Sequence, residues 1–180
     1  MEHEILLKEP STDITARIRY RNILSILENY NIRKVLDIGP RNDFDKMVED
    51  KFNIKIENTT GDLDEDFTAP NADYDTILYL MVMEHQFNPL YTLLRLKDIM
   101  INGGIIILNL PSSGKLLWTP IHFHELDEYR VRMMVSRAGL KIAEKYKFKS
   151  WRKWTAYLKG IRPLYRLFRE YDVVYVLERK

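Results

Sequence analysis

The segment Val35-Leu36-Asp37-Ile38-Gly39 carries most of the information about the fold. Its apolar run predicts a short buried strand, which ends at a carboxylate followed by a glycine. Gly39 has no Cβ and permits both a tight turn and a close backbone approach to a ligand. Ligands of open α/β sheets bind outside the carboxyl ends of strands, where the strand order reverses. The sequence therefore predicts a binding site in the loop after this strand.

Helical and strand-like patterns alternate on both sides of this segment, and no internal repeat is present. This alternation predicts an α/β fold. Helices are predicted from Ser11-Thr12-Asp13 to about residue 30, with Asp43 as N-cap over 44–52, and over 90–100 and 125–138. Further strands are predicted at 53–60, 75–79, 105–110, 140–148 and 172–179, with Asn102-Gly103-Gly104 ending the helix before the strand at 105–110.

The length of 180 residues and the hydrophobic content of 46% predict one domain over residues 1–180. Residues 150–170 form a predicted helical insert, basic and aromatic, between the last two strands. Gly160 and Pro163 should split it into two short helices. Only 34 residues separate Gly39 from Tyr74, whereas each crossover between parallel strands needs about a dozen or more. One βα unit at the sheet edge is therefore predicted to be shortened or missing.

Composition excludes several classes of function. The chain has no cysteine, which rules out disulfides, thiolate nucleophiles and cysteine-ligated zinc. No stretch approaches the roughly 18 to 20 apolar residues of a membrane span, and Met1-Glu2-His3-Glu4 lacks the basic flank and apolar core of a signal peptide. A cytoplasmic protein without a transmembrane segment is expected.

Three signatures occur in order, beginning with Val35-Leu36-Asp37-Ile38-Gly39-Pro40. The second is Tyr74-Asp75-Thr76-Ile77-Leu78-Tyr79 running into Met83-Glu84-His85, and the third is Met100-Ile101-Asn102-Gly103-Gly104-Ile105-Ile106-Ile107. Over about residues 30–148 the chain resembles the class I S-adenosylmethionine-dependent methyltransferases, particularly the small single-domain kind whose glutamate-histidine pair follows the fourth strand. The resemblance implies a Rossmann-like, doubly wound, mostly parallel sheet with helices on both faces and an antiparallel last strand.

The resemblance also implies an S-adenosyl-L-methionine site. Asp37 would accept a hydrogen bond from the cofactor's ammonium group, with Gly39 and Pro40 in the same loop. The remaining expected cofactor residues are Glu57 for the ribose hydroxyls, Asp62 and Leu63 for the adenine, and Tyr79 and Leu80 beside the methyl group. Each has a structural alternative: Asp37 as a turn cap, an acidic solvated loop for Glu57 and Asp62, and core packing for Tyr79 and Leu80.

The first signature departs from the family where Arg41 and Asp43 replace its second and third glycines. These charged side chains stand where the backbone should approach the methionine half of the cofactor. The predicted function is a methyltransferase acting on an oxygen or nitrogen acceptor. The alternatives are a binding or scaffold module that has lost the cofactor and another Rossmann-type enzyme.

Histidines provide the candidate catalytic groups. Methyl transfer from a sulfonium depends mainly on alignment, so a base is optional, and His85 or His122 is the predicted general base. Certain relatives that methylate RNA termini or quinone precursors hold a divalent metal with a glutamate-x-x-glutamate-histidine helix and a later histidine. Here Met81 takes the first glutamate position, and on a helix the adjacent Glu84 and His85 would point about 100° apart. No metal is therefore predicted, and His124 is interpreted as an N-cap.

Charge is distributed unevenly. Residues 141–180 contain 12 Lys and Arg against 4 Asp and Glu, although the whole chain has a net charge of only +2. Residues 141–169 also carry seven aromatic side chains. The substrate is expected to be a small or anionic molecule, and aromatics interleaved with cations suit nucleic acid or a lipid surface. The helical spacing of the aromatics favours instead a lid over the substrate cleft. The sequence does not indicate an oligomeric state.

Overall fold

The computed structural model describes residues 14–111, 122–149 and 171–180. A short 3-10 turn, Met83–His85, lies between the third strand and the third helix. The helices in these ranges are α1 Ile14–Leu27, α2 Asp43–Phe52, α3 Pro89–Ile99 and α4 Glu128–Arg137. The strands are β1 Val35–Asp37, β2 Ile56–Asn58, β3 Tyr74–Leu80, β4 Met100–Pro111, β5 Leu140–Lys149 and β6 Tyr171–Arg179.

The six strands form one sheet in the order β2-β1-β3-β4-β6-β5. β1 pairs in parallel with β2 and β3, and β3 pairs in parallel with β4. β6 is antiparallel to both β4 and β5. The predicted α/β fold, with a mostly parallel sheet and an antiparallel last strand, is confirmed.

Helices cover both faces of the sheet. On one face the buried helical side chains are Ile23, Ile26, Leu27, Phe44 and Val48 from α1 and α2. On the other they are Leu93, Leu96, Val131 and Val135 from α3 and α4. The central strand β4 supplies both cores in alternation, since Ile105 and Ile107 face α1 and α2 while Ile106 and Leu108 face α3 and α4. This two-faced core confirms the doubly wound architecture.

The sheet edge at β2 is reduced, as the short spacing between Gly39 and Tyr74 predicted. In the described part of the chain, residues 59–73 contain turns and a single antiparallel bridge between Thr60 and Thr68, with neither a helix nor a strand. Phe67 is buried and anchors this loop in the core beside α3. A tethered loop therefore replaces the crossover helix of a full βα unit.

Several element boundaries differ from those predicted. β4 begins at Met100, so Asn102-Gly103-Gly104 belongs to the strand and does not terminate the preceding helix. A Cβ on Gly104 would lie 2.7 Å from Met100 Cγ and 3.1 Å from the Asp75 carbonyl oxygen, so the glycine is required by close packing. The N-cap of α2 is Asn42, not Asp43. The predicted insert at 150–170 lies outside the described residues, and among the described helices none is long and apolar enough to cross a membrane.

Candidate functional site

The candidate site lies at the carboxyl ends of the four parallel strands. The chain runs from β1 outward to β2 and then returns to the other side of β1 to form β3, so the strand order reverses between β1 and β3. Ligands of open α/β sheets bind at such a switch point. The loops after β1 and β3 flank this crevice, and the chain re-enters it after β4. The order of the strands thus brings the predicted cofactor loop and the predicted histidines to one edge.

Asp37, the last residue of β1, is 2% exposed and surrounded by polar side chains. Asn42 Nδ2 donates to Asp37 Oδ2 at 2.9 Å, and Asn42 Oδ1 accepts from the Phe44 amide at 2.8 Å to cap α2. Asp45, which is fully buried, accepts from the Asn42 amide at 3.0 Å and from Asn58 Nδ2 at 3.1 Å. Asn42 thus caps α2 and at the same time holds the carboxyl group of Asp37.

Burial raises the pKa of Asp37 well above its ordinary value, and the neighbouring Asp45 carboxylate raises it further by charge repulsion and hydrogen bonding. Asp45 Oδ1 is buried and receives no N–H donor from the residues described. Sequence analysis missed Asp45, although the spacing of Asn42 and Asp45 fits a capping box, which the structure contains.

Gly39 turns the chain directly above Asp37 with φ of +109°, a conformation that side chains with a Cβ rarely adopt. Its amide donates to Thr59 Oγ1 at 2.8 Å, which ties the loop after β1 to the end of β2. Among the described residues, apart from Gly39 and its two neighbours, no heavy atom lies within 4 Å of the place where a Cβ would stand. The loop therefore leaves open space beside a fixed backbone, and Pro40 is exposed at its rim.

The two charged replacements in this loop are exposed to solvent. Arg41 forms an ion pair with Glu49 on α2, which raises the pKa of Arg41 and lowers that of Glu49. Asp43 is exposed in the first turn of α2, where a negative charge complements the helix dipole. The side chain that enters the loop is instead the uncharged Asn42.

The residues expected near the ribose and adenine lie in β2 and the following loop. Glu57 accepts hydrogen bonds from Tyr74 Oη and, at 2.7 Å, from Asn71 Nδ2. Asp62 is exposed and caps the turn by accepting from the Asp64 amide at 2.8 Å, while Leu63 packs partly buried against the core. Asp62 therefore has the environment of a solvated turn cap, whereas Glu57 is partly buried and hydrogen-bonded within the sheet edge.

Asp64, which sequence analysis did not single out, connects this acidic loop to the other side of the crevice. Its carboxylate accepts from the amides of Phe87 and Asn88 at 2.9 and 2.7 Å. The neighbouring Leu63 carbonyl accepts from Thr92 Oγ1 at 2.9 Å. The loop after β2 is therefore fixed to the start of α3.

Tyr79 and Leu80 end β3 but differ in their environments. Tyr79 is fully buried in the core beside α3, and its hydroxyl donates to Gln86, whose amide donates to Thr92 Oγ1 at 2.7 Å. Burial raises the pKa of Tyr79 well above its ordinary value. Leu80 is only partly buried and faces the α1 and α2 side. Of the two, Leu80 is the side chain with surface left to line the crevice.

The chain leaves β3 through an unusual turn. Met81 has φ of +57°, which is uncommon for a residue other than glycine and often marks a functional segment. The 3-10 turn Met83–His85 follows at once, in place of the helix that the sequence predicted there. The backbone carbonyl of Glu84 accepts from the amides of Phe123 and His124 at 2.9 and 3.3 Å. The segment after β4 is thus attached directly to the glutamate-histidine turn.

These contacts bring Glu84, His85 and His122 together. The carboxylate of Glu84 is buried, and its Oε1 lies 3.9 Å from His85 Nε2. The imidazole rings of His85 and His122 meet edge to face with centroids 4.6 Å apart. One oxygen or nitrogen from each of the three side chains lies within 4.8 Å of the others.

His124 is outside this group and its Nε2 lies 3.3 Å from the Phe87 carbonyl oxygen. The predicted N-cap of α4 at His124 is wrong, because Asp127 occupies that position.

Comparison with known proteins places this geometry in context. No protein-family model and no curated protein sequence matches the chain. Solved structures do match. One chain of the complex between the Haloferax volcanii Trm112 methyltransferase activator and a methyltransferase aligns over 92% of this chain and 95% of its own length, with a TM-score of 0.65 and 15% identity.

Two further structures show the same likeness. An Archaeoglobus fulgidus SAM-dependent methyltransferase aligns over 87% of this chain and 94% of its own, with a TM-score of 0.59 and 13% identity. The [4+2]-cyclase SpnF aligns over 96% of this chain and 84% of its own, with a TM-score of 0.61 and 9% identity. The chain therefore has the class I S-adenosylmethionine-dependent methyltransferase fold.

Proposed function

We propose that this chain is a methyltransferase that uses S-adenosyl-L-methionine. The observation that carries the proposal is the pairing of Asp37 with the Gly39 turn at the switch point of the sheet. A carboxyl group lies beneath a backbone turn, and the turn has open space where a side chain would otherwise stand. This combination of a nearby carboxyl group and a closely approachable backbone suits a zwitterionic, cationic ligand.

On this proposal the chain's own residues divide into two groups. Asp37, Gly39 and Pro40 would hold the methionine half of the cofactor, with Thr59 fixing the turn through the Gly39 amide. Glu57, Asp62, Leu63 and Leu80 remain the candidates for the rest of the cofactor, and the buried Tyr79 would support them from the core. When bound, S-adenosylmethionine supplies an electrophilic methyl group. The loops of the crevice would align the acceptor with it, which is where most of the rate enhancement of such a displacement comes from.

His85 and His122 would lie on the acceptor side, where either imidazole could remove a proton from an oxygen or nitrogen acceptor. Residues 141–169 support a small or anionic substrate, including nucleic acid, through their positive charge. In the described part of that range Lys141 and Lys147 are exposed on β5. Lysines on an edge strand also discourage pairing with other chains, so their charge alone does not select a substrate.

The direct test is a thermal-shift and calorimetric titration with S-adenosylhomocysteine. A ligand that binds only the folded state stabilises it by mass action, by about 2.7 kcal/mol at 100 times its Kd, and so raises the melting temperature. The wild-type chain should be stabilised and Asp37→Ala should not. Asp66→Ala is the matched control, because it removes an exposed carboxylate from the loop after β2.

A second function is favoured by one observation, namely that the Asp37 carboxyl already has a hydrogen-bond donor in Asn42 and lies beside the carboxyl group of Asp45. A loop satisfied in this way suits a binding module that no longer needs the cofactor. Absence of any melting-temperature shift at millimolar S-adenosylhomocysteine, in the wild-type chain and in Asp37→Ala alike, would support this module and contradict the methyltransferase. Stabilisation by a nicotinamide dinucleotide would instead support another Rossmann-type enzyme.

A further inference from the structure

Three metal-ligating side chains converge at the carboxyl end of β3. They are Glu84, His85 and His122, and they contribute one carboxylate oxygen and two imidazole nitrogens within 4.8 Å of one another. We propose that this group binds a divalent transition metal of the zinc class. The proposal concerns a property of the chain itself and does not depend on its being a methyltransferase.

The distance between Glu84 and His85 supports ligation of an ion. Glu84 Oε1 and His85 Nε2 are 3.9 Å apart, beyond the range in which a hydrogen bond forms. Two ligands that each lie about 2.0 to 2.2 Å from a tetrahedral zinc ion are about 3.3 to 3.6 Å apart. The separation is therefore close to that of two ligands of one ion, and small rotations of the side chains would close it.

The path of the backbone explains why the sequence argued against this site. On a regular helix Glu84 and His85 would diverge by about 100°. The structure instead has a 3-10 turn of three residues, which follows the left-handed Met81 and is succeeded by extended backbone at Gln86. A turn of this kind is not bound by the side-chain directions of a long helix.

The third ligand comes from a distant part of the chain and is held in place by the backbone. The Glu84 carbonyl accepts from the Phe123 amide at 2.9 Å, which attaches the residue next to His122 to the same turn that carries Glu84 and His85. His122 therefore reaches the group through main-chain hydrogen bonding, independently of its own side-chain contacts. The backbone that carries the three side chains is therefore held together without an ion, and only the side chains would rotate to bind one.

The ligand types select the metal. Two imidazoles and one carboxylate suit Zn²⁺ and related transition metals, whereas Ca²⁺ and Mg²⁺ prefer oxygen ligands alone. Three protein ligands leave at least one coordination position for water or for an oxygen of a substrate. An imidazole nitrogen that binds a metal cannot accept a proton. With a metal bound, His85 and His122 would therefore be ligands and not general bases.

The test is titration of the full chain with Zn²⁺ after removal of any purification tag and treatment with a chelator. Calorimetry should show one equivalent bound in the wild-type chain without S-adenosylhomocysteine. Loss of a partner that only orients a ligand costs about 10 to 100-fold in metal affinity. His122→Ala, which removes a ligand itself, should therefore weaken binding by about 100-fold or more, as should Glu84→Gln. Co²⁺ in place of Zn²⁺ should give the visible absorption of a cobalt ion with imidazole ligands.

His124→Ala is the matched control, since His124 lies on the same segment but outside the group. It should bind Zn²⁺ as the wild type does. Melting temperatures of all variants without metal show whether each remains folded, and Glu84→Gln provides a second variant of nearly unchanged volume. Absence of Zn²⁺ binding in the wild type, or equal binding in the wild type and His122→Ala, would overturn the proposal. Zn²⁺ binding without S-adenosylhomocysteine binding would uphold it while contradicting the methyltransferase.

Discussion

The loop after β1 and the turn after β3 face each other across one crevice but are organised differently. Around Asp37 the polar groups lie close together in sequence and form short hydrogen bonds with one another through Asn42. Around Glu84 the chemically active groups come from segments on either side of β4, and the carboxylate and imidazole stand 3.9 Å apart. The polar groups of the first region are hydrogen-bonded to one another, whereas those of the second are the ligands of the proposed metal site. On the two proposals above, S-adenosylmethionine would bind at the loop after β1 and the metal ion at the turn after β3.

The largest expected effects come from titrating each variant with both ligands, which tests whether the two regions bind independently. Asp37→Ala should lose S-adenosylhomocysteine affinity by about 100-fold, or about 2.7 kcal/mol, and keep its Zn²⁺ affinity within about twofold. His122→Ala should do the reverse. Calorimetric titration of both variants with both ligands measures this. A variant that weakens both ligands equally would show that the two halves form a single site.

Asn42→Ala tests how far the first region is held by its own contacts. Removing the cap of α2 should cost about 1 kcal/mol of stability, within a range of about 0.5 to 2. The change also removes the donor to Asp37. Asn88→Ala is the control, because Asn88 caps α3 in the same way without touching Asp37. Chemical denaturation should find Asn42→Ala the less stable of the two, and equal losses would contradict the role of Asn42 at Asp37.

Asp45→Asn should change how the stability of the chain depends on pH. The pKa of Asp37 is higher in the folded chain than its ordinary value of 3.8, so the folded state holds the extra proton. The stability that Asp37 contributes is therefore greatest below pH 3.8. It is lost as the pH rises from 3.8 through the raised pKa of the folded state. Replacing Asp45 removes the repelling charge and should therefore make this decline in stability with pH less steep.

Melting temperatures measured across the pH range check this expectation, with Asp43→Asn as the exposed control on the same helix. The same variant should bind S-adenosylhomocysteine more tightly near neutral pH than the wild type, because Asp37 ionises more readily. If the melting temperature falls as steeply with pH in Asp45→Asn as in the wild type, Asp45 does not raise the pKa of Asp37.

Arg41→Ala should have the smallest effect. Arg41 forms an exposed ion pair with Glu49, and such pairs contribute about 1 kcal/mol or less. The affinity of Arg41→Ala for S-adenosylhomocysteine should stay within about twofold of the wild type, because the Arg41 side chain is paired with Glu49 on α2. Calorimetry at low and moderate salt measures it. A large loss of affinity would show that Arg41 turns inward when the ligand binds.

The parts of the fold that could be predicted depend on local sequence and on chain length. The strand before Asp37 is a contiguous apolar run, and the reduced edge beyond β2 follows from the number of residues available. Asp37 and Gly39 are adjacent to the strand that places them. None of these features requires knowledge of which distant segments meet.

The rest depended on tertiary contacts or on unusual backbone. Asp45 reaches Asp37 only because α2 begins immediately after a tight turn, and His122 meets His85 only through the hydrogen bonds to the Glu84 carbonyl. A left-handed conformation is not expected of Met81, so the sequence favoured a helix there. Gly104 was interpreted as part of a helix terminator, although its lack of a side chain serves packing against Met100.

The position of β6 in the sheet has a consequence for how the chain is made. β5 is hydrogen-bonded to β6 alone among the described strands, and β6 is inserted between β5 and β4. During synthesis β5 therefore emerges from the ribosome before the strand that will connect it to the parallel sheet. Its apolar side chains lack the neighbouring strand until β6, which ends at Arg179, has been made. The nascent chain is consequently most prone to aggregation between the synthesis of β5 and that of β6.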